Sequence, residues 1–308
     1  MRQSSSSARS LSGVAVAGLG ALAWSLIEAR QYTLRRFTVP VLPPGARPLT
    51  VLHLSDLHLV PSQRDKIAWV RALGALEPDL VINTGDNLAN ADSLEPVLAA
   101  LEPLLEVPGA FVMGSNDYYA PIVKNPARYL FPGPRRTRRL PPPDLPGREL
   151  AARFRDAGWL DLDNARANFE LHGLRIGLVG VDDAHLDRDR YPAGPSLDDN
   201  ADLRLGVTHA PYLRVLDRMH RDGVDLAFAG HTHGGQLCIP GWGALVTNCD
   251  LDTRRAKGLH GWPGPRPDHD GGAESLWLHV SAGLGTSPYT PVRFACRPEA
   301  SLLELVPR

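Results

Sequence analysis

The stretch Ala229-Gly230-His231-Thr232-His233-Gly234-Gly235-Gln236 follows the short apolar run Leu226-Ala227-Phe228. A short apolar run that glycines stop is typical of a buried strand ending in a loop. Residues two apart in extended backbone point to the same side, so His231 and His233 can converge on one site. Imidazole binds borderline divalent metals, and the glycines let the backbone approach a bound anion. Alone, the stretch fits a turn with two solvated histidines equally well.

Length and composition narrow the classes of protein. A chain of 308 residues allows one large domain or two smaller ones, and a formal net charge of −1 gives no reason to expect nucleic-acid binding. Cys238, Cys249 and Cys296 are too few and too scattered for a disulfide framework or a thiolate zinc site, so we interpret them as core or incidental thiols. Any metal must therefore be held by His, Asp and Asn side chains.

The N-terminal region contains an uncharged run of 17 residues, Leu11–Ile27. This length is at the lower end of the roughly 17–25 residues that span a bilayer as a helix. The charged sequence Glu28-Ala29-Arg30 follows the run and gives no small-residue cleavage site. We therefore expect residues 1–30 to form an uncleaved membrane anchor and residues 31–308 to form the main domain. A core or surface helix is the alternative, and the side of the membrane stays undecided.

Strand and helix patterns alternate along the chain, which predicts an α/β protein with a sheet flanked by helices. The predicted strands are Gln31–Val41, Val51–Leu54, Leu80–Asn83, Ala110–Met113, Arg175–Val181, Leu205–Thr208, Leu226–Phe228 and Leu276–Ser281. The predicted helices are Gln63–Leu76, Leu94–Leu105, Arg148–Ala157 and Pro211–Arg221.

One segment, Phe131–Gly147, is rich in proline and arginine and cannot form a sheet or a long helix. It fits either a solvated insertion loop or a basic flap that attracts phosphate or an anionic membrane surface.

Potential metal ligands follow five separate predicted strands. They are Asp56 and His58, then Asp86, Asn116, His209, and finally His231 with His233. Because sites in α/β sheets form where the loops after successive strands meet, these side chains are expected to lie together. Five such motifs, D-x-H, G-D-N, G-S-N-D, T-H-A-P and G-H-T-H, are hard to explain as solvated loops.

From Val51 to about Leu305 the chain resembles a calcineurin-like metallophosphoesterase. The sequence Ser281–Ser287 with Pro291-Val292-Arg293 is similar to the membrane-associated bacterial phosphodiesterase branch. The resemblance implies a β-sandwich of two mixed sheets flanked by helices, in four αββα layers.

The resemblance also implies two divalent metal ions. Asp56, His58 and His233 would hold one ion, His209 and His231 the other, and Asp86 would bridge them. Two divalent ions about 3.5–4 Å apart can hold the attacking and leaving oxygens of an in-line displacement. A metal-bridging hydroxide would be the nucleophile, because bound water has a lowered pKa. The ligand types fit Mn, Fe, Zn or Co, without choosing among them.

One motif departs from the family pattern, since Gly114-Ser115-Asn116-Asp117 stands where G-N-H-D is usual. Read without a gap, Ser115 replaces the amide ligand and Asn116 replaces the histidine that assists the leaving group. Alternatively, Asn116 still reaches the second metal. We prefer Asn116 as the ligand, because a neutral hydroxyl is a poor substitute for an amide oxygen, and we predict Asp86 and Asn116 as catalytic residues.

Two other histidines are predicted to have no role as metal ligands. His53 is predicted to neighbour the site or to be buried, and His185 is predicted to lie at the surface, with a position lining the pocket as the alternative. The leading hypothesis is a membrane-tethered hydrolase of phosphodiesters or pyrophosphate-linked substrates, which include lipid and cell-envelope components. The alternatives are a nucleotide-linked lipid pyrophosphatase, of the UDP-diacylglucosamine type, and a weakly active scaffold that binds phosphorylated ligands.

Overall fold

The computed structural model describes residues 18–123, 141–193 and 200–308. Helix α1 covers residues 18–28, and it is followed by α2 (Arg64–Ala72), α3 (Leu94–Leu105), α4 (Ser115–Tyr118), α5 (Gly147–Asp156) and α6 (Leu213–Arg221). The strands are β1 (Thr33–Leu42), β2 (Leu49–Leu54), β3 (Leu80–Asn83), β4 (Gly109–Phe111), β5 (Leu160–Asp161), β6 (Arg166–Leu171), β7 (Leu174–Val181), β8 (Leu203–Thr208), β9 (Leu226–Ala229), β10 (Cys238–Ile239), β11 (Gly243–Ala244), β12 (Gly258–Trp262), β13 (Leu276–Val280) and β14 (Glu299–Pro307).

These strands form two six-stranded sheets and one short hairpin. The first sheet has the order β1-β14-β2-β3-β4-β5, and the second has the order β12-β13-β9-β8-β7-β6. Both are mixed: β2, β3, β4 and β5 run parallel, as do β7, β8, β9 and β13, while β14–β2, β6–β7 and β12–β13 pair antiparallel. Strands β10 and β11 pair antiparallel as the hairpin.

The core lies in three apolar layers, one between the sheets and one outside each sheet. Ile82 and Phe228, from opposite sheets, belong to the layer between them. Leu101 of α3 and Phe154 of α5 cover the first sheet, and Leu216 of α6 covers the second. Each fully buried side chain of this kind contributes about 1.5–3 kcal/mol. The predicted sandwich of two mixed sheets flanked by helices is confirmed.

The sandwich brings the carboxyl ends of β2, β3, β8 and β9 together. In the first sheet, Asp56 N donates to Gly85 O at 2.9 Å, and in the second, Gly230 N donates to His209 O at 2.9 Å. The two sheets are joined at this edge because His231 N donates to the Asp56 carboxylate at 3.0 Å. Loops from both sheets therefore meet at one place.

The predicted strands and helices are present with shifted ends. The helix predicted over Gln63–Leu76 stays α-helical only from Arg64 to Ala72, and a 3₁₀ turn follows over Leu73–Leu76. Strands β5, β6, β12 and β14 and the β10–β11 hairpin were not predicted.

The two unusual segments are described only in part. Residues 1–17 of the predicted anchor and residues 131–140 of the proline- and arginine-rich segment lie outside the described residues. In the ranges that the structure covers, no helix combines the length and the apolar character needed to cross a membrane. The predicted boundary at residue 30 separates α1 from partners that it contacts, since Glu28 accepts a hydrogen bond from Cys296 N at 2.7 Å.

Candidate metal centre

The first ligand group consists of Asp56, His58 and His233. One ligand atom from each residue lies within 4.8 Å of the others. The Nε2 atoms of His58 and His233 are 3.2 Å apart, and Asp56 Oδ1 lies 3.5 Å from His233 Nε2 and 3.9 Å from His58 Nε2. Loops after β2 and β9 supply these side chains, so the group depends on both sheets.

The second ligand group consists of His209 and His231, with Asp86 between the two groups. His209 Nε2 lies 3.3 Å from His231 Nδ1. Asp86 directs its oxygens to opposite sides, because Oδ2 lies 3.4 Å from His58 Nε2 and Oδ1 lies 3.6 Å from His209 Nε2. A carboxylate placed in this way can contact two cations at once and offset part of their repulsion.

The donor set fits divalent metal ions. Asp56 Oδ1 and His58 Nδ1 are buried and accept or donate no hydrogen bond within the described part of the chain. A buried carboxylate oxygen without a partner is costly, and a cation removes that cost. The convergence of imidazole nitrogens and carboxylate oxygens is typical of sites for first-row transition metals.

Outer partners orient two of the imidazoles. His209 Nδ1 lies 2.7 Å from Thr84 O, and His233 Nδ1 lies 3.1 Å from Gly285 O. A carbonyl in this position accepts the Nδ1 proton and leaves Nε2 free as a ligand, as in many metal sites. Both histidines therefore present Nε2 to the centre.

The electrostatic environment differs between the groups. Burial outweighs the attraction of Asp86 and lowers the pKa of His58 to about 4. Burial also disfavours charge on His209, but the carboxylates of Asp86 and Asp183 outweigh it and raise the pKa of His209 to about 9. A metal that binds His58 meets a neutral imidazole, whereas a metal that binds His209 displaces a proton.

The backbone of the ligand loops is left-handed at five ligand residues. The φ angles are 49° at Asp56, 38° at His58, 57° at Asp86, 66° at His231 and 49° at His233. Residues other than glycine rarely adopt this conformation, and each instance costs about 1–3 kcal/mol. Strain gathered at the convergent side chains is typical of a functional site.

Two glycines permit the close approach of these loops. A Cβ at Gly114 would lie 2.3 Å from Asp86 Oδ1, and one at Gly230 would lie 1.8 Å from Ser55 Oγ. A larger residue would press on Asp86 from position 114 and on the side chains of Ser55 and Asp56 from position 230, so both glycines leave space for ligand carboxylates.

The sequence Gly114–Asp117, which differs from the usual G-N-H-D of the family, places an amide beside Asp86. Asn116 donates to Asp86 twice, from its backbone N at 2.7 Å and from Nδ2 at 2.8 Å. Ser115 instead donates its hydroxyl to Asp183 at 2.5 Å. Asn116 therefore lies next to the centre through Asp86, and Ser115 points towards the loop after β7.

Sequence reasoning gave no role to Asp117, which organises two ligand loops. Its carboxylate accepts the backbone N–H groups of Asp86 at 2.8 Å, Asn87 at 2.8 Å and Gly114 at 2.9 Å. Burial, with the nearby charge of Asp86, raises the pKa of Asp117 to about 6. Its place at the end of G-S-N-D, next to ligand loops rich in N–H groups, was the signal that could have found it.

Arg293 was also missed as a supporting residue. It is fully buried, and its guanidinium donates to three backbone carbonyls: Ala282 at 2.7 Å, Gly283 at 3.0 Å and Gly285 at 2.7 Å. Gly285 is also the residue that orients His233. Its place in Pro291-Val292-Arg293, part of the family resemblance, was the signal that could have found it.

Two further histidines, His53 and His185, were assigned from the sequence without a ligand role. His53 is buried, as expected, and its Nδ1 lies 2.8 Å from His279 Nδ1 between the sheets. His185 is half-buried and lines the site, which is the alternative to the predicted surface position: its ring centroid lies 4.5 Å from that of His231, and its Nδ1 lies 3.0 Å from Tyr212 Oη. The loop after β7 folds over the second group, which local sequence does not reveal.

Three relatives show what the chain is similar to. An uncharacterized protein YpbG of Bacillus subtilis is 26% identical over 95% of this chain and 97% of its own length. The phosphodiesterase YaeI of Escherichia coli is 28% identical over 91% of this chain and 90% of its own length. A transmembrane protein with metallophosphoesterase domain from Bos taurus is 30% identical over 65% of this chain, which spans 44% of that relative.

The family model of the calcineurin-like phosphoesterases matches residues 49–235. This range contains every residue of both ligand groups, together with Asp86 and Asn116. The chain is therefore a metal-dependent phosphoester hydrolase that belongs to the calcineurin-like phosphoesterase family.

Proposed function

We propose that the protein hydrolyses phosphodiester or pyrophosphate-linked substrates with two divalent metal ions. The observation that carries this proposal is the placement of Asp86, whose two oxygens lie 3.4 Å from His58 Nε2 and 3.6 Å from His209 Nε2. A carboxylate shared between two sets of histidine ligands supports a dinuclear centre over a single ion.

Each ion would have its own ligands. Asp56, His58 and His233 would hold the first, His209 and His231 would hold the second, and Asp86 would contact both. When bound, such ions supply an activated water nucleophile and positive charge for the phosphoryl oxygens. Mn, Fe, Zn or Co fits the donor set of imidazole and carboxylate.

Asn116 would act through the position that it occupies beside Asp86. Its amide holds the Asp86 carboxylate at 2.8 Å, and a turn of the same amide would offer its oxygen to the second ion. Neither Asn116 nor Ser115 can donate a proton as a histidine does, so the leaving oxygen would depart with little help. Phosphoryl and aryl leaving groups, which are stable as anions, suit this site better than simple alkoxides.

We also propose that the protein is membrane-associated through its N-terminal segment. The uncharged run Leu11–Ile27 supports this, as does the relative from Bos taurus that is named a transmembrane protein. A substrate that is a lipid or another cell-envelope component would fit this location.

Metal content and turnover measured on one sample of the full chain would test the proposal. We expect two equivalents of metal per chain and hydrolysis of an aryl phosphodiester, and we expect chelation to abolish the hydrolysis and added Mn²⁺ to restore it. Two bound ions without turnover of any aryl or pyrophosphate-linked ester would favour the scaffold alternative. A single equivalent of metal in fully active protein would overturn the dinuclear centre.

A substrate panel would separate the two enzyme hypotheses. Faster turnover of a nucleotide-linked lipid than of the aryl phosphodiester would identify a lipid pyrophosphatase, whereas the reverse order would favour a general phosphodiesterase.

A further inference from the structure

Helix α1 buries its polar side chains and exposes its apolar ones, the reverse of what is expected for a helix in water. Ser25 and Glu28 are buried, while the large apolar side chains of residues 18–28 are exposed. The exposed fractions are 68% for Leu19, 52% for Leu22, 44% for Trp24, 44% for Leu26 and 54% for Ile27. A surface helix of a soluble protein turns its apolar stripe towards the core, so α1 requires another apolar environment.

The buried polar residues of α1 fix the helix to one segment, residues 293–296. Ser25 O accepts a hydrogen bond from Arg293 N at 3.0 Å. The Glu28 carboxylate accepts from Ala295 N at 3.1 Å and from Cys296 N at 2.7 Å. A carboxylate that receives two backbone N–H groups in a buried setting is held firmly, so the orientation of α1 is set by this segment.

The β10–β11 hairpin is attached to the same segment. Cys238 N donates to Phe294 O at 2.8 Å, and Phe294 N donates to Gln236 O at 3.0 Å. The hairpin carries two exposed apolar side chains: Ile239 at the end of β10, which is 47% exposed, and Trp242 in the turn, which is 80% exposed. Two exposed apolar elements, α1 and the hairpin, are thus joined to successive residues of one short segment.

The hairpin also lies beside the candidate metal centre at both of its ends. It begins five residues after His233, and it returns to Asn248, whose backbone oxygen lies 3.3 Å from His231 Nε2. Trp242 lies six positions before Asn248, and a chain of that length spans about 20 Å at most. With the 3.3 Å from Asn248 O to His231 Nε2 added, the apolar turn lies within about 25 Å of the second ligand group.

We propose that α1 and the β10–β11 hairpin form one surface that enters the lipid bilayer, with Trp242 in the interface beside the metal centre. A lipid bilayer fits better than a protein groove, because α1 exposes apolar residues on every side except the one where Ser25 and Glu28 are buried, and a groove covers a narrower face. Tryptophan prefers the boundary between lipid and water, which suits both Trp24 and Trp242.

This inference deepens the proposed function, on which it rests, by naming its substrate class: phosphoesters of membrane lipids. A hairpin in the interface would keep the ligand groups at the level of lipid headgroups. Soluble esters would reach the same centre without using the hairpin.

The position of Trp242 can be measured directly. The full chain and its Trp242→Phe variant would be incorporated into phosphatidylcholine–phosphatidylglycerol vesicles made with ordinary or brominated lipids. We expect brominated lipids to quench the fluorescence of the full chain more than that of the variant, because bromine quenches only indoles in contact with lipid. Equal fractional quenching in the two proteins would overturn the proposal, whether or not the protein is an active hydrolase.

Turnover gives a second readout in the double variant Ile239→Ser/Trp242→Ser. We expect hydrolysis of a phosphodiester lipid in vesicles to fall about tenfold, since two apolar side chains no longer enter the bilayer. Hydrolysis of a soluble aryl phosphodiester should stay within about twofold. Ile122→Ser/Val123→Ser, which changes residues that are 59% and 76% exposed, is the matched control and should leave both rates unchanged.

The outcomes separate the two proposals. Equal losses on the soluble and the vesicle substrate, or a loss of the same size in the control variant, would overturn the membrane-facing hairpin. Failure of the unaltered protein to hydrolyse either substrate would contradict the proposed function, and the quenching experiment would still decide the position of Trp242.

Discussion

The two ligand groups of the candidate centre are built to the same plan but differ in completeness. The first group, Asp56, His58 and His233, has all three side chains within 4.8 Å and is backed by buried Arg293 through the Gly285 carbonyl. In the second, His209 and His231 converge, but the family's usual histidine near them is replaced by Asn116.

This difference between the two groups shows that the residues that would bind metal and the residue that would donate a proton to the leaving group can change independently. Every residue proposed to hold an ion is in place, while the residue that would protonate the leaving group is changed. The ligand residues are fixed by left-handed backbone and cross-sheet hydrogen bonds, whereas Asn116 lies in the short helix α4 and donates two hydrogen bonds to Asp86. A side-chain change at Asn116 keeps the backbone hydrogen bond to Asp86 and removes the one from the amide, while the histidines of both ligand groups stay in place.

The largest expected effect comes from removing the residue that the two groups share. Asp86→Ala should abolish hydrolysis and lower the occupancy of both ions, because each oxygen of Asp86 faces a different group. The loss should exceed the roughly 10–100-fold typical of an outer partner of a metal ligand. Elemental analysis and turnover on the same sample would measure both effects. Asp252→Ala, at an exposed carboxylate paired with Arg255, is a suitable control. Retention of both ions in Asp86→Ala would refute the shared role.

A smaller and more selective effect is expected from changing one group at a time. His58→Ala should mainly remove the first ion, and His231→Ala should mainly remove the second, with about one equivalent remaining in each variant. Hydrolysis should be lost in both, since two ions are proposed to act together. The comparison between the groups fails if either substitution empties the whole centre, which metal titration by calorimetry would reveal.

The smallest effect, and the sharpest test of the contrast, comes from restoring the usual motif. Ser115→Asn/Asn116→His should raise the turnover of alkyl phosphodiesters by about tenfold or more, because a general acid typically contributes 10²–10⁴-fold where the leaving oxygen is basic. Aryl esters should gain little. A series of esters that differ in leaving-group pKa would measure this, with the single change Ser115→Asn as control. Equal gains across the series would mean that another acid already serves the site.

Much of this centre could be predicted from sequence because its ligands follow short apolar strands. Asp56, Asp86 and His209 each come directly after a buried run, and parallel strands bring their carboxyl ends together. The order of the strands in each sheet then determines which loops meet. The arrangement of two sheets in a sandwich was predicted from the family resemblance.

The rest depends on contacts between distant parts of the chain. Strand β14 has the apolar run that a strand needs, but its place between β1 and β2 is set by pairing across more than 240 residues. Arg293 is buried only because loops after β13 surround it, and His185 reaches His231 only because the loop after β7 folds over the centre. Periodicity within a short window carries no information about such contacts.

The left-handed backbone at the ligand residues has a consequence for how this centre could be lost over evolutionary time. Glycine adopts these φ values without the penalty that Asp or His incurs, so a ligand-to-glycine change at His58 or His233 would remove a metal ligand while relaxing the loop. Stability and catalysis therefore oppose each other at these positions.

Hydrogen bonds between the loops stabilise the strained backbone of the ligand residues, so the fold as well as the ion offsets the cost of the strain. His58 N donates to Asp86 O at 2.9 Å, and Gly285 N donates to Asp56 O, so these strained residues are tied to neighbouring loops. The fold thus contributes to the geometry of the centre through hydrogen bonds between its loops. Drift towards glycine would leave a well-folded descendant that keeps the sandwich and has no hydrolytic activity.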